Sequence, residues 1–337
     1  MNTPLVIVAD KFATSALLKL QTAKREAESL LNVIQTLEPS ETQLAQAQAI
    51  VIRVRTKIDK EFLERTPNLK FIVTATSGFD HIDVEEALKR GIKVAFSPEG
   101  NVYSASELTW ALLLASAKNV TRACRMVEKG EWDRDKIRGS ELYGKTLGII
   151  GLGRIGTRVA LIARAFGMEV LAFDPYIDEA HFKTVGCERL GMKELLRASD
   201  FVSLHVPLTK ETRHFINGRT LELMNDHAWL INTSRGPVIS EQELAIALDE
   251  GAIGGCGLDV FEQEPLSVKS ILRKRDNVVL LPHIGGATHE AFERSSLAAA
   301  DKILGWAGAG TDNSGDVLKE AWYAAQRLNQ GFRLSLD

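Results

Sequence analysis

The chain has 337 residues, of which 45% are hydrophobic and 25% are charged, with 41 Lys and Arg against 44 Asp and Glu. This length predicts about two domains, and the composition is that of a folded protein rather than a disordered one. The near-neutral charge argues against a basic face for nucleic acid. The longest stretch without a charged residue, 277–289, is too short to cross a membrane.

The spacing of the cysteines indicates the redox environment of the protein. Cys124, Cys187 and Cys256 are far apart and form neither a CxxC pair nor a disulfide framework, which is typical of a reducing environment. The N-terminus lacks a basic region followed by a long apolar run, so no secretory signal is predicted. We therefore expect a cytoplasmic protein with no nucleic-acid partner, no membrane segment and no metal site.

The first part of the chain alternates short apolar runs with helical patterns. Ser40 and Gln43 form a capping-box pair, and Asp83 is placed to cap a helix that ends at Gly91. Strands are predicted at residues 5–9, 31–35, 50–53, 71–75 and 93–96. This pattern predicts an α/β layer of about five strands.

A long helix is predicted at 104–119, and its apolar character around most of its surface indicates burial between domains or at a subunit interface. A second α/β series then begins at Lys145. Ser240 and Glu243 form another predicted capping box. Strands are predicted at residues 146–150, 169–173, 201–205, 228–231, 255–258 and 278–281. Strands that alternate with helices favour a doubly wound parallel sheet.

The last part of the chain is predicted to be helical. Helices are expected at 290–306 and 316–328, with a glycine-rich loop at 305–315 between them. Periodicity alone leaves open the domain on which this tail packs.

A glycine motif, GLGRIG, follows the predicted strand at 146–150 and opens a helix. In a dinucleotide fold Gly151 permits the tight turn, Gly153 lets the backbone approach a pyrophosphate, and Gly156 allows close helix–strand packing. The next strand ends at Asp174, which would bind ribose hydroxyls and repel a 2′-phosphate. The motif therefore predicts NAD rather than NADP, and a purely structural glycine turn is the alternative.

Polar residues follow the carboxyl ends of later strands, where ligands bind in open α/β sheets. Hydride transfer from an alcohol needs a base, and histidine has the pKa nearest neutrality. A carboxylate can orient the ring, and an arginine can hold a substrate carboxylate through two hydrogen bonds. Arg235, Glu264 and His283 suit these roles. Taken singly, each could also be a cap, a core residue or a solvated charge, and His205 is a second candidate base.

Five stretches, GKTLGIIGLGRIG, HVPLT, INTSRG, GLDVFEQEP and PHIGGAT, make the chain resemble the NAD-dependent D-2-hydroxyacid dehydrogenases over essentially its whole length. The resemblance implies two doubly wound, Rossmann-like α/β domains, with an NAD-binding domain at 99–287 inserted into a discontinuous substrate domain at 1–98 and 288–337. It implies His283 as the acid/base, Glu264 as its partner and Arg235 as the carboxylate anchor. The NAD-binding residues assigned in this way are Gly151, Gly153, Arg154, Ile155, Gly156, Asp174, His205, Val206, Pro207, Thr233, Ser234, Asp259, Gly285 and Gly286.

Within the family, the stretches at 52–59, 101–109 and 130–137 resemble the branch that acts on D-3-phosphoglycerate. In that branch a residue matching Arg53 binds the phosphate. Arg55 alternates with Arg53 in an extended segment, which predicts one shared face, with a solvated pair as the alternative. The substrate-binding residues that the resemblance implies are Arg53, Arg55, Ser77, Gly78, Asn101 and, from the neighbouring subunit, Arg134.

Two features depart from that branch. Residues 74–76 read Thr-Ala-Thr where the branch usually has Arg-Ala-Gly, and the sequence ends at Asp337, so no C-terminal regulatory domain is expected.

Three functions are compatible with this sequence. The first is NAD-dependent oxidation of D-3-phosphoglycerate to 3-phosphohydroxypyruvate, or the reverse. The second is a D-2-hydroxyacid dehydrogenase or hydroxypyruvate/glyoxylate reductase for an unphosphorylated substrate. The third, from another class, is an NAD-sensing interaction protein like the co-repressors of this family. A small anionic 2-hydroxy or 2-keto acid and a homodimer or homotetramer are the expected partners.

Overall fold

Two parallel β-sheets, each in its own unit, organise the computed structural model, which describes residues 3–25 and 28–308. The first unit lies within Met1–Val102 and Ala287–Arg327. The second contains Tyr103–Gly286. Both sheets have the connectivity of doubly wound α/β folds, as the sequence predicted.

The first sheet has five parallel strands in the order β4-β1-β5-β6-β7. Its central strands are continuous apolar runs, because helices cover both faces and both sets of side chains are buried. A separate antiparallel pair, β2–β3, was not predicted. The strands are β1 Leu5–Val8, β2 Lys24–Arg25, β3 Glu28–Ser29, β4 Asn32–Gln35, β5 Ala49–Ile52, β6 Phe71–Thr74 and β7 Lys93–Phe96.

Two helices of this part of the chain begin at the predicted caps. Ser40 and Gln43 form the predicted reciprocal capping box, and the Asp83 carboxylate accepts the backbone N–H of Glu86. The helices are α1 Thr14–Gln21, α2 Glu41–Gln46, α3 Lys60–Glu64 and α4 Val84–Lys89.

The second sheet has seven parallel strands in the order β10-β9-β8-β11-β12-β13-β14. From β8 the strand order runs to one side through β9 and β10, and from β11 it runs to the other side through β12, β13 and β14. Such folds bind a dinucleotide at this switch point between β8 and β11. The strands are β8 Thr146–Ile150, β9 Glu169–Phe173, β10 Glu188–Arg189, β11 Phe201–Leu204, β12 Trp229–Asn232, β13 Gly255–Leu258 and β14 Val278–Leu280.

The long predicted helix is α5, Val102–Ala117, and its buried residues include Trp110, Leu112 and Leu113, which pack in a core with Leu147 of β8. The indole of Trp110 also stacks on the Phe166 ring with 4.8 Å between centroids. The remaining helices of this unit are α6 Val120–Glu128, α7 Arg154–Ala165, α8 Glu179–Val185, α9 Met192–Ala198, α10 Gly218–Leu221 and α11 Glu241–Glu250. No described helix is both long and apolar enough to cross a membrane.

The predicted capping box at Ser240 is wrong. The Ser240 side chain makes no capping hydrogen bond to α11, and the Glu243 carboxylate instead accepts the backbone N–H of Gly218 at the start of α10. Glu243 satisfies an amide of a helix distant in sequence, which local spacing does not reveal.

The last described helix is α12, His289–Trp306. It packs on α1 and β6 in the first unit, and the Trp306 indole stacks on Phe71 with 5.8 Å between centroids. The predicted helix at 316–328, and the predicted loop from residue 309 onward, lie outside the described residues.

Candidate active site

The glycine loop joins β8 to α7. An ideal Cβ on Gly151, whose φ is +96°, would lie 2.5 Å from the carbonyl oxygen of His205, and one on Gly156 would lie 2.0 Å from the Gly151 carbonyl oxygen. A Cβ on Gly153 would meet nothing within 4 Å. Gly151 and Gly156 are thus required by packing, whereas Gly153 leaves the helix N-terminus open. In the part of the chain that the structure describes, no side chain caps that terminus, so its amides suit a pyrophosphate.

Asp174 directly follows β9 and is hydrogen-bonded to this loop. Its Oδ2 accepts the Leu152 backbone N–H at 2.8 Å, and its Oδ1 accepts that of Tyr176 at 3.0 Å. The carboxylate is therefore held in one orientation beside the open helix terminus. A fixed negative charge at this place favours ribose hydroxyls over a 2′-phosphate.

A cleft that is open to solvent runs along the ends of β8, β9 and β11. Its walls are mostly apolar and include Ile177, Val206, Pro207 and Phe215, as an adenine ring requires. Of the predicted NAD-binding residues, the structure brings Gly151, Gly153, Asp174, His205, Val206 and Pro207 to this cleft. The others are placed elsewhere in the unit: Arg154, Ile155 and Gly156 in the first turn of α7, and Thr233, Ser234, Asp259, Gly285 and Gly286 beyond β12, β13 and β14.

His205 is unsuited to proton transfer. Burial of its ring lowers the pKa to about 3, and its Nε2 lies 2.9 Å from the Ser203 hydroxyl. The imidazole is therefore neutral at physiological pH. Its backbone instead forms the surface on which Gly151 packs.

His283 and Glu264 form a directly bonded pair, as their predicted roles require. The His283 Nδ1 lies 2.6 Å from the Glu264 Oε2, and the other oxygen of Glu264 accepts the Phe261 backbone N–H at 3.0 Å. Because Nδ1 is engaged, Nε2 is the atom left for proton exchange. The His283 side chain keeps 43% of its surface exposed.

The backbone around His283 is held as firmly as its ring. Asp259 accepts the N–H groups of Ile284 and Gly285 on its two carboxylate oxygens, each at 2.8 Å, and its carbonyl accepts the His283 N–H at 2.9 Å. These bonds stabilise a φ of +55° at His283, a conformation that non-glycine residues rarely adopt.

The electrostatics favour a charged pair. The hydrogen bond to Glu264 raises the pKa of His283 above its ordinary value. Burial alone would raise the pKa of Glu264, but the bonds from His283 and Phe261 outweigh it, so that pKa is lowered. Imidazolium and carboxylate therefore stabilise each other, and His283 keeps its transferable proton to a higher pH than an isolated histidine does.

Arg235 follows β12. Its positive charge lowers the pKa of Glu264 and partly opposes the rise in the pKa of His283. The turn that carries it is fixed by Asn232, whose Nδ2 donates to the Arg235 carbonyl at 3.0 Å. An ideal Cβ on Gly236 would lie 1.9 Å from the carbonyl carbon and oxygen of Phe261. The arginine segment is thus packed directly on the segment that carries Glu264.

In the first unit, Ser77 and Asn101 are in contact through the Ser77 hydroxyl and the Asn101 Oδ1. The Ser77 hydroxyl also lies 3.2 Å from the Ser97 carbonyl. Gly78 is in the same loop, directly after β6.

The side chains of Arg53 and Arg55 have different surroundings. The prediction that they share one face of an extended segment is wrong, because β5 ends at Ile52 and residues 54–55 form a turn. The Arg53 guanidinium donates to the Ser295 hydroxyl at 3.2 Å and lies 4.9 Å above the Phe292 ring. Arg55 is exposed and donates to the Leu37 carbonyl at 3.1 Å.

Arg134 lies in an exposed 3₁₀ turn, Arg134–Lys136. The neighbouring Lys136 pairs with Asp133 at 3.2 Å. A contact between Arg134 and substrate stays a prediction.

Asp10 is a further residue that supports Arg53, and the sequence did not predict this role. It is 3% exposed, and its Oδ2 accepts the backbone N–H groups of Arg53 at 2.6 Å and Thr56 at 3.3 Å. It thereby fixes the turn that carries Arg53. An acidic residue directly after a buried strand was the available signal.

The family model for the NAD-binding domain of the D-isomer specific 2-hydroxyacid dehydrogenases matches residues 110–285. A D-3-phosphoglycerate dehydrogenase of Methanocaldococcus jannaschii is 43% identical over 76% of this chain, but the match spans only 49% of that relative. A glyoxylate reductase of Thermococcus litoralis is 44% identical over 78% of this chain and 81% of its own length.

Among solved structures, the D-lactate dehydrogenase of Aquifex aeolicus, complexed with NAD and lactic acid, has a TM-score of 0.79 at 34% identity and covers 94% of this chain and 98% of its own. The predicted fold class and the predicted cofactor, NAD, are confirmed. The chain belongs to the D-isomer specific 2-hydroxyacid dehydrogenase family.

Proposed function

We propose that the protein interconverts a D-2-hydroxy acid and its 2-keto acid by NAD-dependent hydride transfer, with His283 as the acid/base. The observation that carries this proposal is the 2.6 Å pair between His283 and Glu264. The pair lies beyond the carboxyl ends of the strands in the same sheet that carries the NAD-binding glycine loop.

NAD bound at the glycine loop would supply the hydride acceptor for oxidation, and NADH would supply the hydride for reduction. During oxidation the neutral Nε2 of His283 takes the hydroxyl proton as the adjacent C–H bond loses its hydride. Glu264 stabilises the imidazolium that forms, and Arg235 holds the substrate carboxylate. During reduction the protonated His283 returns its proton to the oxygen of the keto group.

We further propose D-3-phosphoglycerate as the hydroxy acid. The support is Arg53, a half-buried guanidinium that Ser295 and Phe292 hold in one place. Within residues 3–25 and 28–308, its Nε and Nη2 have no hydrogen-bond acceptor. Burial also lowers its pKa, and the charge of Asp10 opposes this. A phosphate would supply both the counter-charge and the missing acceptors.

The second candidate substrate is glyoxylate or hydroxypyruvate, without a phosphate. It is favoured by the match to the glyoxylate reductase, which extends over 81% of that protein against 49% of the phosphoglycerate dehydrogenase.

The test is reduction of 3-phosphohydroxypyruvate, hydroxypyruvate and glyoxylate with NADH by the wild type and by Arg53→Ala. Loss of a buried charged partner predicts a fall of roughly 30-fold or more in kcat/KM on the phosphorylated substrate only. Arg65→Ala is the matched control, since Arg65 forms an exposed ion pair with Glu41 in the same unit and should change little.

Each other result rejects one part of the proposal. An equal loss on all three substrates would assign Arg53 to the fold, and no loss would favour the unphosphorylated substrates. NADH binding without turnover of any keto acid would favour the NAD-sensing interaction protein.

We also propose a homo-oligomer, either a homodimer or a homotetramer. The support is α6, which has no buried residue and exposes Val120 and Val127, together with Trp132, which is 80% exposed. Large apolar side chains exposed within one short stretch of the chain are typical of a surface that binds another subunit.

A further inference from the structure

Three side chains after β6 form a connected set of hydrogen bonds. The His81 Nε2 lies 3.1 Å from the Thr74 hydroxyl, which lies 2.6 Å from the Thr76 hydroxyl. The Thr76 hydroxyl in turn donates to the Gly78 carbonyl oxygen at 2.7 Å. We call this set the His81 relay.

The chemistry of the groups fixes the direction of every bond. A carbonyl oxygen only accepts, so the single proton of the Thr76 hydroxyl goes to Gly78. Thr76 must then accept from Thr74, whose own proton is used in that bond. Thr74 must therefore accept from His81, and the His81 Nε2 carries a hydrogen. Bonds aligned in one direction polarise and strengthen one another.

The relay fixes the peptide group between Gly78 and Phe79, and a backbone hydrogen bond fixes the one between Thr76 and Ser77. Because a trans peptide is planar, the N–H of Phe79 points opposite to the Gly78 carbonyl that Thr76 holds. On the other side, the Thr76 carbonyl accepts the Ser97 N–H at 2.9 Å, so the Ser77 N–H points away from β7. Across the described ranges, the backbone N–H groups of Ser77, Gly78 and Phe79 have no acceptor. Successive backbone amides without acceptors are groups that can bind an anion.

We propose that His81 is a positioning residue, which acts through Thr74 and Thr76 to hold the amides of 77–79 ready for the substrate carboxylate. This rests on the proposed function, in which the substrate is a 2-keto or 2-hydroxy acid. The hydrogens of the relay are all donated within the relay or to the Gly78 carbonyl. The relay therefore orients the loop and takes no part in proton transfer to the substrate.

The first experiment compares His81→Phe, which cannot donate, with His81→Gln, whose side-chain amide places a donor near the position of Nε2. His81→Phe is expected to raise KM for the keto acid about 3- to 10-fold, as loss of one neutral hydrogen bond predicts. Both kcat and the Kd for NADH are expected to stay within about twofold. His81→Gln is expected to restore most of the loss.

Thr76→Val tests the relay where histidine substitutions impair folding, and it should reproduce the KM effect. Thr66→Val is the matched control, because Thr66 is a buried threonine of this unit whose hydroxyl, among the described residues, bonds the carbonyls of Phe62 and Leu63 and not the relay. It is expected to lower Tm and leave KM unchanged. An unchanged KM in His81→Phe and Thr76→Val, or the same KM increase in His81→Gln or Thr66→Val, would overturn the proposal.

A spectroscopic test does not depend on the substrate. The ¹⁵N chemical shifts of His81 should report a hydrogen on Nε2, and Thr74→Val should change the signal of that nitrogen. A neutral ring protonated on Nδ1 alone would overturn the relay. Since this readout needs no turnover, failure of the relay and failure of the proposed function are distinguishable.

Discussion

At the scale of single residues, the state of His283 depends on one carboxylate. Glu264 raises the pKa of His283 by accepting its Nδ1–H, so the imidazolium persists to a higher pH than in a free histidine. Reduction of a keto acid needs that proton, so its rate is expected to fall as pH rises through the His283 pKa.

Glu264→Gln should therefore move the fall in reduction rate to lower pH. The amide removes the negative charge that stabilises the imidazolium, so the pKa of His283 decreases. The measurement is kcat/KM for the keto acid against pH. Glu262→Gln is the control, since Glu262 is an acid two residues from Glu264 whose carboxylate lies 3.3 Å from the His214 ring, and a shift of equal size there would assign the effect to net charge alone.

The carboxylate of Asp174 combines a hydrogen bond with a charge, and two variants separate them. Asp174→Asn keeps an acceptor for the Leu152 N–H, whereas Asp174→Ala removes it. Like-charge contact with a 2′-phosphate costs several kcal/mol, so both variants should reduce the preference for NADH over NADPH by about tenfold or more. Only Asp174→Ala should also weaken NADH. Titration of each cofactor by fluorescence measures this, and an unchanged preference would remove Asp174 from cofactor selection.

At the scale of elements, we expect the glycines of the turn from β8 into α7 to have two different roles. Gly156 is needed for packing, and Gly153 for cofactor binding. Gly156→Ala places a methyl group 2.0 Å from the Gly151 carbonyl oxygen, and such overpacking costs about 1–3 kcal/mol. Gly153→Ala meets no described atom within 4 Å, so Tm should stay near that of the wild type while the Kd for NADH increases. Thermal unfolding and NADH titration check both, and equal Tm losses would contradict this division.

The elements themselves were largely predictable. Strands such as LVIV at β1 and TLGII at β8 lie under helices on both faces, so they appear in the sequence as unbroken apolar runs. The Ser40 cap was predictable because both partners lie within one turn. Glu243 was not, because its partner Gly218 is 25 residues away.

The same distinction applies to the candidate site. The glycine loop, Arg235, Glu264 and His283 could be proposed because each follows a strand and all carboxyl ends of a parallel sheet meet at one edge. Bonds between side chains that no period connects could not be predicted, as with Arg53 and Ser295. The turn after β5 also ended the alternation on which the Arg55 prediction depended.

At the scale of the whole molecule, the exposed apolar side chains of α6 predict self-association. Light scattering of the wild type should give at least twice the mass of one chain. Val127→Glu with Trp132→Glu should reduce that mass, because two charges would be buried without partners. The control is Val268→Glu, since Val268 is 85% exposed and lies outside this region. A monomeric wild type would contradict the proposal.

The contact between Gly236 and Phe261 has a consequence for laboratory evolution of the substrate range. Any side chain at 236 would push the Arg235 segment away from the segment that carries Glu264. A saturation library at 236 should therefore yield almost no active clones, whichever keto acid is used for selection. Libraries intended to change selectivity should keep 235–236 and 261–264 as one inherited block and vary loops that do not contact it. Recombination breakpoints placed between these two segments should inactivate chimeras of divergent parents more often than breakpoints outside them.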